Sequence, residues 1–185
     1  MTGQRAGFSL MEMLVVLMVI GIVTTIAMPR LDLLSMRVDS MERQVTMTLA
    51  RAQQLAMLRQ HDVHVRFDTA GGALVLHADA DNDGEVDGGE TESRVELEKG
   101  VLFVLEGVPA GPAGAEAISF SRMHGTQPVL TYHRSGSASE AGGFYLGTHR
   151  SVAGDEPGDA RAVAVDRATG RVRRFNLKAG SWVQS

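Results

Sequence analysis

The chain has no cysteine, which excludes a disulfide framework and any thiolate metal site. Aromatic residues make up only 5% of its 185 residues, and 5 prolines stand against 21 glycines. So little aromatic bulk with so much glycine favours a turn-rich chain over a helical bundle. Charge is missing from one long stretch: of the 21 residues from Phe8 to Met28, only Glu12 is charged. Catalytic signatures are missing too. There is no G-x-S-x-G elbow, no H-E-x-x-H and no P-loop. His61, His64, His77, His124, His133 and His149 are scattered, and read as surface or half-buried side chains rather than as a metal centre. The sequence therefore points away from an enzyme.

The uncharged stretch is the most informative feature present. At about 1.5 Å per residue its helix would measure roughly 30 Å, enough to cross the hydrocarbon core of a bilayer. A carboxylate inside such a helix costs on the order of 2.5–3.5 kcal/mol on insertion scales, so Glu12 needs a function. A secretory signal peptide fits poorly, because its apolar core is shorter and its small-residue cleavage site follows that core. Here Gly7 precedes the apolar run. An ordinary single-pass anchor leaves Glu12 unexplained.

Gly7-Phe8-Ser9-Leu10-Met11-Glu12, the unbroken apolar run and then Pro29 resemble the prepilin signal of type IV pilins and type II secretion pseudopilins. The resemblance implies that a prepilin peptidase removes residues 1–7 by cutting after Gly7 and then N-methylates Phe8. It implies that Glu12 pairs with the terminal amine of a neighbouring subunit, and that Pro29 kinks a long helix. Residues 8–28 would be a single inner-membrane span and assembly helix, with a cytoplasmic N-terminus and a periplasmic C-terminal domain. Arg5 and the initial amine favour that orientation, against Arg30 and Arg37 on the far side. The implied partners are other pilins or pseudopilins, met through the N-terminal helix. A buried cation at Phe8 and a buried anion at Glu12 would select neighbours in register, since either alone is uncompensated.

Beyond Pro29, Leu31, Leu34, Val38, Met41, Val45, Leu49, Ala52 and Ala56 recur at spacings of three and four. They predict a periplasmic amphipathic helix over 29–62, continuous with the first across a kink near Pro29. From Val63 the period changes to two. Val63–Phe67 and Ala73–His77 read as strands around a Gly71-Gly72 turn. Further strands are expected at Val95–Leu105, Ala117–Ser121, Val129–His133, Phe144–Thr148, Arg161–Asp166 and Val172–Leu177. Residues Gly107–Gly114 and Ser135–Gly143 read as exposed loops. The expected fold is α+β, a long N-terminal helix packed on an antiparallel, Gly-rich sheet, with residues 63–185 as the β-rich head.

Two stretches of the head could carry chemistry. Residues 79–98 hold nine acids against Arg94 alone. Within them Asp79, Asp81, Asp83, Glu85 (through its carbonyl), Asp87 and Glu90 occupy the ligand places of a twelve-residue calcium loop, with Gly84 at its sharp turn. Ca2+ is the one cofactor this suggests, since so many close carboxylates repel without a cation. The flanks read as strands rather than paired helices, so a polar hairpin turn is the alternative. The second stretch is Gly170-Arg171-Val172-Arg173-Arg174, in a C-terminal segment, 161–185, with six basic side chains against Asp166. It resembles the Gly-Arg-x-Arg element of GspH/FimT-like minor pilins, some of which bind DNA. Arg171, Arg173 and Arg174 are candidate phosphate contacts, or solvated side chains of an edge hairpin.

The resemblance lies nearest the GspH/FimT-like minor pseudopilins. It implies a structural subunit of a type II secretion pseudopilus that supports protein secretion across the outer membrane. The alternative is a minor type IV pilus subunit that binds DNA in natural transformation.

Overall fold

In the computed structural model the described residues are 8–27, 33–84 and 90–185. The chain divides into two compact units, residues 1–33 and 34–185. The expected kink at Pro29 lies outside the described residues.

The first unit is the helix α1, Leu10–Ala27. Ser9 caps it, its hydroxyl oxygen accepting the backbone N–H of Met11 at 3.3 Å. That places Glu12 at the third helical position, where the exposed N–H groups and the helix dipole favour an acid.

The second unit opens with α2, Leu33–Arg59. Its stripe is as the periodicity indicates, with Val38, Met41, Val45, Leu49, Ala52 and Ala56 all fully buried. Glu42 is buried as well, at 4% exposure.

The strands form two antiparallel sheets where one was expected. The first contains β1 (Asp62–Asp68), β2 (Ala73–Asp79), β3 (Thr91–Glu96), β5 (Met123–His124) and β6 (Gln127–Tyr132), in the order β3-β2-β1-β6-β5. The second contains β4 (Val101–Phe103), β7 (Gly142–Thr148), β8 (Arg161–Val165), β9 (Val172–Lys178) and β10 (Ser181–Gln184), in the order β10-β9-β8-β7-β4. The expected strand Val95–Leu105 is broken between them. Gly100, at φ +93, makes a turn that L side chains resist, and the chain changes sheets across it. Ala117–Ser121 is no strand, since only Ile118 pairs, through one bridge to Phe144.

One apolar cluster joins the α2 stripe to both sheets, including Val63, Val65 and Phe67 of the first and Phe144, Leu146 and Val163 of the second. The scarce aromatics are concentrated there. Phe67 lies 5.8, 5.3 and 5.2 Å from the rings of Phe103, Phe120 and Phe144. A smaller cluster on the far face of the second sheet holds Tyr145, Ala162, Phe175 and Trp182. It anchors the 107–114 loop. Tyr145 Oη donates to the Gly114 carbonyl at 2.8 Å and accepts the Gly111 N–H at 2.7 Å, and Trp182 Nε1 donates to the Pro109 carbonyl at 3.0 Å.

Residues 107–114 are mostly exposed, as expected, whereas in 135–143 Gly136, Ala138 and Gly143 are buried. Gln53 of α2 donates to the Gly136 carbonyl at 2.6 Å and to the Thr169 carbonyl at 2.7 Å, so one side chain clamps a turn from each sheet. Gly170 fits against that clamp because it has no Cβ. At φ +63, a Cβ there would lie 2.2 Å from the Gly136 carbonyl oxygen.

Candidate functional site

At the N-terminus, Gly7 lies outside the described residues. Phe8 is 76% exposed, and every side chain from Phe8 to Thr24 is exposed, Glu12 among them. A helix that is apolar on all sides and covers none of its own surface requires lipid or other helices around it. Among the described residues no helix is long and apolar enough to cross a membrane. The 18 residues of α1 span about 27 Å, and the expected span, 8–28, is three residues longer.

The acidic loop joins β2 to β3, so its flanks are strands, as read. The β1–β2 register sets His64 opposite His77, and Thr131 of β6 opposite His64. Asp79, two residues beyond His77, shares its face and reaches His64 diagonally. The carboxylate only accepts, so His64 Nε2–H donates to Asp79 Oδ2 at 3.0 Å. His64 Nδ1 meets the Thr131 hydroxyl at 2.8 Å. The Gly84 N–H, at φ +82, curls the loop back onto the same Asp79 oxygen at 3.0 Å. Asn82 ties the loop to β1 by accepting the Asp62 N–H at 2.9 Å.

Asp79, Asp81 and Asp83 converge, with one carboxylate oxygen of each within 4.8 Å of the others. Glu90 is placed differently from the twelfth position of a calcium loop. Its Oε2 accepts from His77 Nε2 at 2.5 Å and its Oε1 from the Ala80 N–H at 2.7 Å. Glu85 and Asp87 lie outside the described residues.

The C-terminal arginines separate by strand alternation. Arg171 and Arg173 are exposed and, with Asp166 and Gln184, line a shallow cleft. Arg174 points the other way, its Nη1 4.0 Å from Glu42 Oε2 on α2. Burial pushes the Glu42 carboxyl above its ordinary range, against the opposing pull of Arg174 and Arg161. Beside it Arg161 Nε donates to Asp39 Oδ1 at 2.7 Å. In the β8–β9 turn the hydroxyl and N–H of Thr169 hold Asp166 below its ordinary range.

Residues 3–28 match the prokaryotic N-terminal methylation motif, and residues 43–170 match the family described as type II transport protein GspH. The chain belongs to the GspH family. Two structures of the minor pseudopilin EpsH from the type II secretion system of Vibrio cholerae are also similar to this GspH-family chain. One is 13% identical over 77% of this chain and 91% of its own, with a TM-score of 0.35. The other is 16% identical over 77% and 88%, with a TM-score of 0.37. No curated protein shows a significant match.

The methylation motif contains Gly7, Phe8 and Glu12. The GspH-matched stretch contains the acidic loop and stops at Gly170, before Arg171, Arg173 and Arg174. The family is structural. Three features of this GspH-family head escaped the sequence reading: the His64–Asp79 and His77–Glu90 pairs, the buried Glu42 and the Gln53 clamp. The first depended on the register: the β1–β2 hairpin turns over residues 69–72, which sets His64 opposite His77, whereas a two-residue turn at Gly71-Gly72 would set it opposite Asp79.

Proposed function

We propose that this chain is a processed minor pseudopilin, a non-catalytic structural subunit of a type II secretion pseudopilus. In this reading the leader ends at Gly7, and the mature chain begins with methylated Phe8. The segment from Phe8 to Met28 holds the subunit in the inner membrane until assembly, with the head in the periplasm. Glu12 sits one helical turn beyond Phe8 and pairs with the Phe8 amine of a neighbouring subunit. The observation that carries the reading is the coupling, in one chain, of a methylation motif at 3–28 to a GspH domain at 43–170.

The reading is tested by deleting the gene in its own host and restoring it in variant forms. The wild-type chain is expected to restore secretion of the machine's cargo. Gly7→Ala is expected to leave the precursor unprocessed and secretion unrestored. Glu12→Val is expected to be processed yet depleted from the sheared pseudopilus fraction. Normal secretion in the deletion strain would overturn the proposal.

The alternative, a minor type IV pilus subunit that binds DNA, gains no specific support from the geometry. Of its three candidate arginines, Arg174 faces Glu42, and Arg171 and Arg173 share their cleft with Asp166.

A further inference from the structure

We propose that the β2–β3 loop binds one Ca2+ through Asp79, Asp81 and Asp83, a site smaller than the six-residue loop that the spacing suggests. Two independent features support it. The first is the convergence of the three carboxylates within 4.8 Å. Two oxygens on one cation at about 2.4 Å, a typical Ca2+ distance, can be separated by up to about 4.8 Å. Mg2+ demands near-ideal octahedral geometry at about 2.0–2.1 Å and keeps more of its water, so three loop carboxylates suit the more adaptable Ca2+.

The second feature is the state of Asp79. It is 2% exposed, and its Oδ2 already accepts from His64 and Gly84. Its Oδ1 is buried and has no hydrogen-bond partner among the described residues. A buried carboxylate oxygen without a donor calls for a positive partner. Asp79 therefore offers one committed oxygen and one open oxygen beside two further carboxylates.

The surroundings select the class of cation. Every donor in the group is a carboxylate oxygen, which suits a hard cation rather than zinc or copper. The nearby imidazoles are engaged, His64 with Asp79 and Thr131, and His77 with Glu90. Glu90 stays with His77 and the Ala80 N–H. Three charged ligands on a solvent-facing hairpin suit the weak end of the calcium range, with Kd about 10^-4 to 10^-3 M.

The test uses the full-length chain in detergent, titrated calorimetrically with CaCl2 and with MgCl2 and followed by thermal melting. The variants are Asp81→Asn/Asp83→Asn and, as a control for general acidity, Glu96→Gln/Glu98→Gln. Both substituted aspartates are exposed, and asparagine keeps the Asp81 oxygen that accepts the Asp83 N–H. Asp81→Asn alone serves if the double variant fails to fold. The expected results are saturable Ca2+ binding that raises Tm, Mg2+ binding at least about tenfold weaker, and at least about tenfold loss in the aspartate variant but not in the control. The proposal is overturned by any of three results: no heat or Tm shift at about 5 mM Ca2+, equal responses to Mg2+, or unchanged affinity in the aspartate variant.

Discussion

The two long helices of this chain solve opposite problems. The 27 residues of α2 carry one apolar stripe, and the head buries it fully from Val38 to Ala56. The 18 residues of α1 are apolar on nearly every side, and every described side chain on α1 is exposed. Apolar surface buried inside a domain stabilises that domain, whereas apolar surface left bare is a binding surface for something else. The difference separates what folds this protein from what assembles it. Substitutions in α2 should register in head stability, and those in α1 in membrane retention and fibre incorporation.

The largest expected effect is at Leu49. Leu49→Ala leaves a cavity in the main cluster and should cost about 2–5 kcal/mol, lowering the head's Tm by roughly 5–15 °C. The matching change in α1, Leu17→Ala, should stay within about 0.5 kcal/mol by the same thermal melt. Equal losses from the two would erase the distinction.

Gln53→Ala sharpens it from the polar side. The substitution removes both clamp hydrogen bonds and leaves the Gly136 and Thr169 carbonyls without that donor. A loss of about 1–2 kcal/mol is expected in urea unfolding. Its consequences should appear as faster amide exchange in both turns, because one side chain holds both.

A smaller effect comes from Glu42. Its folded pKa is raised by burial, so between the unfolded value near 4.5 and the folded one the head holds a proton that the unfolded chain lacks. Stability from this group is therefore full below the unfolded pKa and declines as pH rises through the folded one. Glu42→Gln should flatten that decline and raise Tm at pH 7–8 by a few degrees at most. A Tm profile in which the variant and wild type fall in parallel would contradict the assignment. Asp68 and Asp166 are held low, so their contributions fade only as pH falls below the ordinary aspartate value, outside the Glu42 window.

The same contrast explains what could be read in advance. The stripe of α2 and the β1–β2 hairpin are local patterns, with periods of 3.6 and 2, and both appear as expected. The second sheet was hidden because Val95–Leu105 looks like one apolar strand, and only Gly100 marks the change of sheet. The anchoring of residues 107–114 depends on Trp182, some 70 positions away, which no window along the sequence connects to them. At the acidic loop Asp79, Asp81 and Asp83 are close in sequence, and the fold keeps their carboxylates close in space. The spacing could not show that Glu90 is drawn away by His77, because that partner belongs to the strand rather than the loop. Strand alternation likewise turns Arg174 from a surface cation into the neighbour of Glu42.

If α1 is an assembly surface released by processing, the mature subunit starts at Phe8. Intact-mass measurement and N-terminal fragmentation of the chain, purified from its host membranes, test this directly. The expected result is a chain that starts at Phe8 and carries one methyl group on its amine, with a precursor that accumulates when the prepilin peptidase is removed. A functional subunit that still begins at Met1, or one cut at another residue, would contradict it.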